Sequence, residues 1–186
     1  MPGVGSHTVM FLRHAEKPAD HGPPLGVDKH GNPDDHALSV DGWTRAGALA
    51  ALFDNPDALA ARELVRPQRV MATQASDGYR SHRERDTAHP TAARLGLAVD
   101  DAFTHDQTAQ AAASILADTR DTLIVWHHGS IPAFIAQLPM SPGAAVPPTW
   151  PEDRFDLIWV LTDDGSGHYS FAQHNQDLLA GDTPLA

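Results

Sequence analysis

Two short apolar runs in this chain end in groups that can handle an anion. Val9 to Leu12 runs directly into Arg13 and His14, and "TLIVW", residues 122–126, runs into His127 and His128. A run that is apolar at every position reads as a strand buried on both faces. In an open parallel sheet, ligands collect at the carboxyl ends of the strands. Both runs therefore deliver imidazoles to one edge, and the first adds a guanidinium. One histidine at a strand end is most simply a loop residue; two histidines with an arginine form a set.

Phosphoryl transfer uses such a set. An arginine matches phosphate oxygens in a bidentate fashion. A neutral imidazole can attack phosphorus and form a phosphohistidine, and a second, protonated imidazole can stabilise the equatorial oxygens. Positioning and charge neutralisation are most of what this chemistry asks for, so the set requires no metal and no cofactor.

These groups need a frame of alternating strands and helices. Further strands are expected at residues 70–72, at "FDLIWVL" (155–161) and at "HYSFAQH" (168–174), the last two joined as a hairpin by the turn "DDGSG". Helices are expected at 40–53, capped by Ser39; at 82–97, ending near Gly96 and kinked or restarted at Pro90; at 106–119, capped by Asp106; and at 131–138, with Pro132 in its first turn. The pattern predicts an α/β fold, a three-layer α/β/α sandwich with a mostly parallel central sheet, as one domain over residues 1–186. Two Gly- and Pro-rich loops, 19–37 and 140–151, are long enough to cover a site.

"FLRHAEKP" resembles the Arg-His-Gly/Ala-Glu signature of the histidine phosphatase superfamily, the phosphoglycerate mutase-like fold, in its branch 1 form. Three more stretches match in order. "LSVDGWTRAGALA" (38–50) is similar to the family's Leu-Ser/Thr-x-x-Gly-x-x-Arg/Gln-Ala helix, "SHRERDTA" (81–88) to its Arg-x-x-x-Thr-Ala motif, and "LIVWHHGSIPAFI" to the strand bearing its second histidine. The likeness runs from the first strand to about Pro132. It implies that His14 is the nucleophile, that Arg13 and Arg83 clamp the phosphate, and that a second histidine assists. His-Gly and Trp-x-His spacings favour His128 for that role, with His127 as its neighbour or alternate. Asp106, or else His105, is the expected proton donor to the leaving group. Arg45 is expected to brace its helix, and Gly42 and Gly47 to let that helix approach the sheet. Lys17, with Glu16, stands between a substrate contact and an ion pair at the pocket rim.

The implied activity is hydrolysis of a phosphate monoester. The alternatives are a phosphomutase on the same fold and a non-catalytic phosphate-binding module. The expected partner is a small phosphorylated substrate. A formal net charge of -11 argues against binding nucleic acid or an anionic membrane, so an anionic ligand needs a local basic pocket. With no cysteine, thiolate chemistry and cysteine metal sites are excluded. No zincin motif, Walker loop or Gly-x-Ser-x-Gly elbow is present. His21, His30 and His36 lie in an Asp-rich loop and are read as solvent-exposed or pocket-mouth residues rather than metal ligands. No apolar run is long enough for a membrane span and no leader-like region is seen, which makes the cytoplasm the expected compartment. The sequence carries no signal for an oligomeric state.

Overall fold

The computed structural model describes residues 7–163 and 165–183. The N-terminal residues read for a leader, 1–6, and Asp164 of the predicted turn lie outside the described residues. Eleven elements follow in chain order: β1 (Thr8–Arg13), α1 (Val40–Phe53), α2 (Pro56–Ala60), β2 (Arg69–Ala72), α3 (Arg83–Leu95), β3 (Val99–Asp100), α4 (Thr108–Leu116), β4 (Thr122–Trp126), α5 (Ile131–Ile135), β5 (Leu157–Asp163) and β6 (Tyr169–Asn175). The strands form one sheet in the order β3-β2-β4-β1-β5-β6.

The β3-β2-β4-β1 half is parallel, and β5 and β6 add antiparallel pairings at the other side. The sheet is therefore mixed: its four-stranded half is parallel as expected, and the β5-β6 hairpin is the antiparallel addition. The tight connection between β5 and β6 requires this, because a short turn can join only antiparallel neighbours. All residues of β1 and β4 are buried. Alternation divides their side chains between two cores. Val9 and Phe11 pack with Ile115 of α4 and Phe134 of α5, while Met10 and Leu12 pack with Leu49 of α1 and Ala88 of α3. Helices thus cover both faces, giving three layers.

Local rules explain most boundaries. The Ser39 hydroxyl accepts the Gly42 amide and starts α1 where expected. α3 continues through Pro90 as one helix rather than restarting there. Its buried stripe, Glu84, Thr87, Ala88, Thr91 and Ala92, continues on both sides of the proline, and the packing against α1 outweighs one lost hydrogen bond. Gly96, at φ +71°, then ends the helix. α4 starts at Thr108, not at Asp106, and α5 stops at Ile135. Of the two glycines in α1, Gly42 is needed: a Cβ there would overlap the carbonyl oxygen of Glu16. Gly47 faces open space, so it does not serve the close approach.

The chain reverses across the sheet after β3 and inserts β4 between β2 and β1. The carboxyl ends of β1 and β4 lie side by side at that reversal, with Arg13 in register with Trp126.

Candidate active site

Six segments meet above the ends of β1 and β4. They are residues 13–17, the loop before α3 that carries Tyr79, the start of α3, the loop entering α4, residues 127–129 after β4, and the loop before β5 that carries Glu152 and Phe155. A hydrogen-bond bridge fixes the first to the start of α3. The Ala15 amide donates to Thr87 Oγ1 (2.9 Å), and the Thr87 hydroxyl donates to the Arg83 carbonyl (2.7 Å). The four-residue spacing of Arg83 and Thr87 is one helical turn, which sets Arg83 one turn nearer the strand ends.

His14 is 2% exposed. Its Nδ1 lies 2.7 Å from the Ala15 carbonyl, which can only accept, so Nδ1 carries the proton and Nε2 keeps its lone pair. Burial first, and then the charges of Arg13, Arg83 and His128, hold the imidazole well below its usual pKa of 6.5. At neutral pH it is a neutral ring with one nucleophilic nitrogen.

The Arg13 guanidinium stacks over Phe155, 4.0 Å from the ring centroid, and donates through Nη1 to the Glu152 carbonyl. Its buried Nε has no partner among the described residues, and burial lowers its pKa to about 10. Arg83 donates from Nε to the Ala37 carbonyl (3.0 Å) and from Nη2 to the Asp35 carbonyl (2.6 Å). Part of its donor fork is thus tied to the loop over the site, while its charge reaches both Arg13 and His14.

The two histidines after β4 occupy different surroundings. The His127 ring packs against His128 (4.8 Å between centroids), Tyr79 (4.9 Å) and His105 (5.3 Å). His128 is the one whose charge acts on His14, and Arg13 and Lys17 act on it in turn. Each has a buried Nδ1 without a partner among the described residues. Burial holds both at a pKa of about 4; His128 and Arg13 add to this for His127 and His128 respectively. A Cβ on Gly129 would approach within 2.8 Å of His127 Cε1, so a glycine here leaves room for the His127 ring.

Glu16 and Lys17 part ways. Glu16 joins the buried Arg45 (2.8 Å), which also pairs with Asp182 (2.6 Å); Arg45 is scaffold, as expected. Lys17 stays at the rim, 3.3 Å from the exposed Asp20. Asp106 departs from its expected role. It lies outside α4, exposed, and accepts the Thr104 hydroxyl at 2.6 Å, which lowers its pKa. A carboxyl held ionised is the reverse of a proton donor. The turn is closed instead by Gln107, whose side chain accepts the Thr104 amide. His105, the other candidate donor, is in the cluster, stacked 4.5 Å from Tyr79.

Three participants, Phe155, Tyr79 and Glu84, are absent from the sequence reading. Glu84 had a signal: extending the buried stripe of α3 back one turn lands on it.

Two cavities flank the cluster. One of about 520 Å³ lies beneath residues 17–22 and borders Arg83. The other, of about 340 Å³, borders His128, Gly129 and Trp150. Among the described residues, no helix is long and apolar enough to cross a membrane.

No family model and no curated protein matches the chain. Solved structures do. A protein histidine phosphatase, SixA, solved with tungstate, superposes with a TM-score of 0.57 at 19% identity, over 91% of this chain and 97% of its own. A structure described as mycobacterial hydrolase 1 gives 0.51 at 16%, over 96% and 100%. A mycobacterial glucosyl-3-phosphoglycerate phosphatase with inorganic phosphate gives 0.51 at 17%, over 90% and 95%. At these identities the likeness establishes the fold, which this chain shares with the histidine phosphatases.

Proposed function

We propose that this chain, built on the histidine phosphatase fold, hydrolyses phosphate monoesters through a phosphohistidine on His14. The observation that carries the reading is the hydrogen bond from His14 Nδ1 to the Ala15 carbonyl. It leaves Nε2 unprotonated in a buried cluster whose cations are Arg13 and Arg83. Two phosphatases among the structural neighbours support it.

In the proposed reaction Nε2 attacks phosphorus as the ester P–O bond breaks, and the leaving oxygen takes a proton. Arg13 and Arg83 balance the phosphoryl charge. His128, neutral in the empty site, gains a proton in the presence of the dianion and stabilises the equatorial oxygens. Water then attacks the phosphohistidine, releasing phosphate and restoring His14. His105 and His127, which lie together in the ring cluster, are the donors this reading prefers to the exposed, Thr104-bonded Asp106. Lys17 and the 520 Å³ cavity are suited to hold the leaving group of a small phosphorylated substrate. No step draws on a metal or cofactor.

The test is phosphate release from an aryl phosphate in the presence of a chelator. Wild type turns over, His14→Ala does not, and His128→Ala loses far more turnover than His127→Ala. No release from a broad panel of phosphate esters overturns the reading. Transfer to an added alcohol with little free phosphate would make the chain a mutase.

A further inference from the structure

Glu84 is 0% exposed in the first turn of α3. An acid in that turn is commonly a surface residue complementing the helix dipole. Asp86, the other acid there, is only partly buried and has a partner of its own, His82 at 2.8 Å. Glu84 instead points inward, and among the described residues it has no cation at ion-pair distance. Its oxygens accept two hydroxyls, Tyr79 at 2.7 Å and Ser81 at 3.0 Å. Burial raises its pKa above the usual carboxylate value; the two donated hydroxyls and the Arg83 charge work against that and favour the ionised form. Tyr79, then Glu152, then Glu84 act on Arg13 and oppose the effect of its burial. The Tyr79 ring that Glu84 anchors is in contact with both His105 and His127.

The arrangement has a charge consequence. The cluster holds two buried or half-buried cations, Arg13 and Arg83, and histidines that are neutral when the site is empty. Lys17 at the rim is paired with Asp20, and Glu152, which also acts on Arg13, is exposed and screened. Without Glu84, a phosphate dianion would be matched by the two arginines. With it, the occupied site is one positive charge short, and a proton on the histidine pair supplies the missing charge.

We propose that Glu84 is a positioning residue that sets the proton count of the site. Its negative charge acts on Arg13 and Arg83, and through Tyr79 it orients His127, so that a bound phosphate draws a proton onto His127 or His128. The inference rests on the phosphatase reading. It explains how histidines that are neutral in the empty site become acids once substrate arrives.

Calorimetric titration of inorganic phosphate at pH 7, in two buffers of different ionisation enthalpy, measures affinity and proton uptake together. Wild type takes up a proton on binding. Glu84→Gln keeps an acceptor for Tyr79 but removes the charge. It binds phosphate tighter by on the order of tenfold, with reduced proton uptake. In turnover, KM and kcat both fall, and the pH profile moves to lower pH. Tyr79→Phe withdraws one hydroxyl from Glu84, favours its neutral form, and shifts uptake in the same direction if Glu84→Gln does not fold. Folded variants with wild-type affinity, uptake and pH profile overturn the proposal, as does a wild type that binds phosphate without proton uptake. A wild type that binds no phosphate overturns the phosphatase reading itself.

Discussion

The Thr87 side chain accepts the Ala15 amide at 2.9 Å, so the residue after the proposed nucleophile is tied to the first turn of α3. The same hydroxyl donates to the Arg83 carbonyl. Both histidine and arginine are therefore positioned by one fully buried oxygen. Thr87→Val keeps the shape but strands the Ala15 amide. We expect a loss of about 1–3 kcal/mol in denaturant unfolding and a drop in kcat larger than any change in KM. Thr87→Ser should restore most of both. A Thr87→Val enzyme with wild-type stability and kcat would show that the bridge positions nothing.

Stability should fall on acidification in a defined window. His14, His127 and His128 all have folded-state pKa values below 6.5, the latter two at about 4. The unfolded chain therefore binds more protons than the folded one between these values, and stability rises with pH there. Their contribution is fully present above 6.5 and is lost as pH falls toward about 4. Thermal melts of the phosphate-free protein across this range should show the slope, and His128→Ala should flatten it. Saturating phosphate should also flatten it, because the anion favours the protonated rings. An unchanged slope in His128→Ala contradicts the assignment.

Adjacent residues Glu16 and Lys17 should respond oppositely to removal of their partners or themselves. Arg45→Met leaves Glu16 and Asp182 facing one another, largely buried, and should cost about 3 kcal/mol or more in unfolding free energy. Lys17→Ala should leave the unfolding curve unchanged and raise KM several-fold at nearly constant kcat, as loss of a binding contact does. A large stability loss from Lys17→Ala would place it in the scaffold.

Asp106→Asn should change kcat by less than about twofold, since the side chain is exposed and bonded to Thr104 rather than to the cluster. A general acid contributes on the order of 100-fold or more. A loss of that size would restore Asp106 to the mechanism. His105→Gln, which lies within the ring cluster, should be the more damaging change.

The sheet and its helices, apart from the short β3 and α2, were legible because periodicity and capping are local. Ser39, Gly96 and the doubly buried runs of β1 and β4 each mark their place in a few residues. Arg13, His14 and the histidine pair were legible for the same reason, since a buried strand must end before polar groups begin. Failures came where packing outranked local rules. Pro90 does not break α3 because the stripe on either side is buried. Asp106 does not cap α4 because Gln107 closes the turn first. Glu84, Tyr79 and Phe155 gain meaning only from neighbours distant in sequence, although the α3 stripe did point to a carboxylate facing inward.

The central claim is that His14 Nε2 becomes covalently bonded to phosphorus. The most direct measurement is a millisecond quench into alkaline detergent, where phosphohistidine survives, after mixing enzyme with a phosphorus-labelled ester. Peptide mass spectrometry then locates the label. Label is expected on His14 in the wild type, trapped more heavily if His128→Ala slows hydrolysis of the intermediate, and none in His14→Ala. Label on another residue, or full turnover with no label, would contradict it.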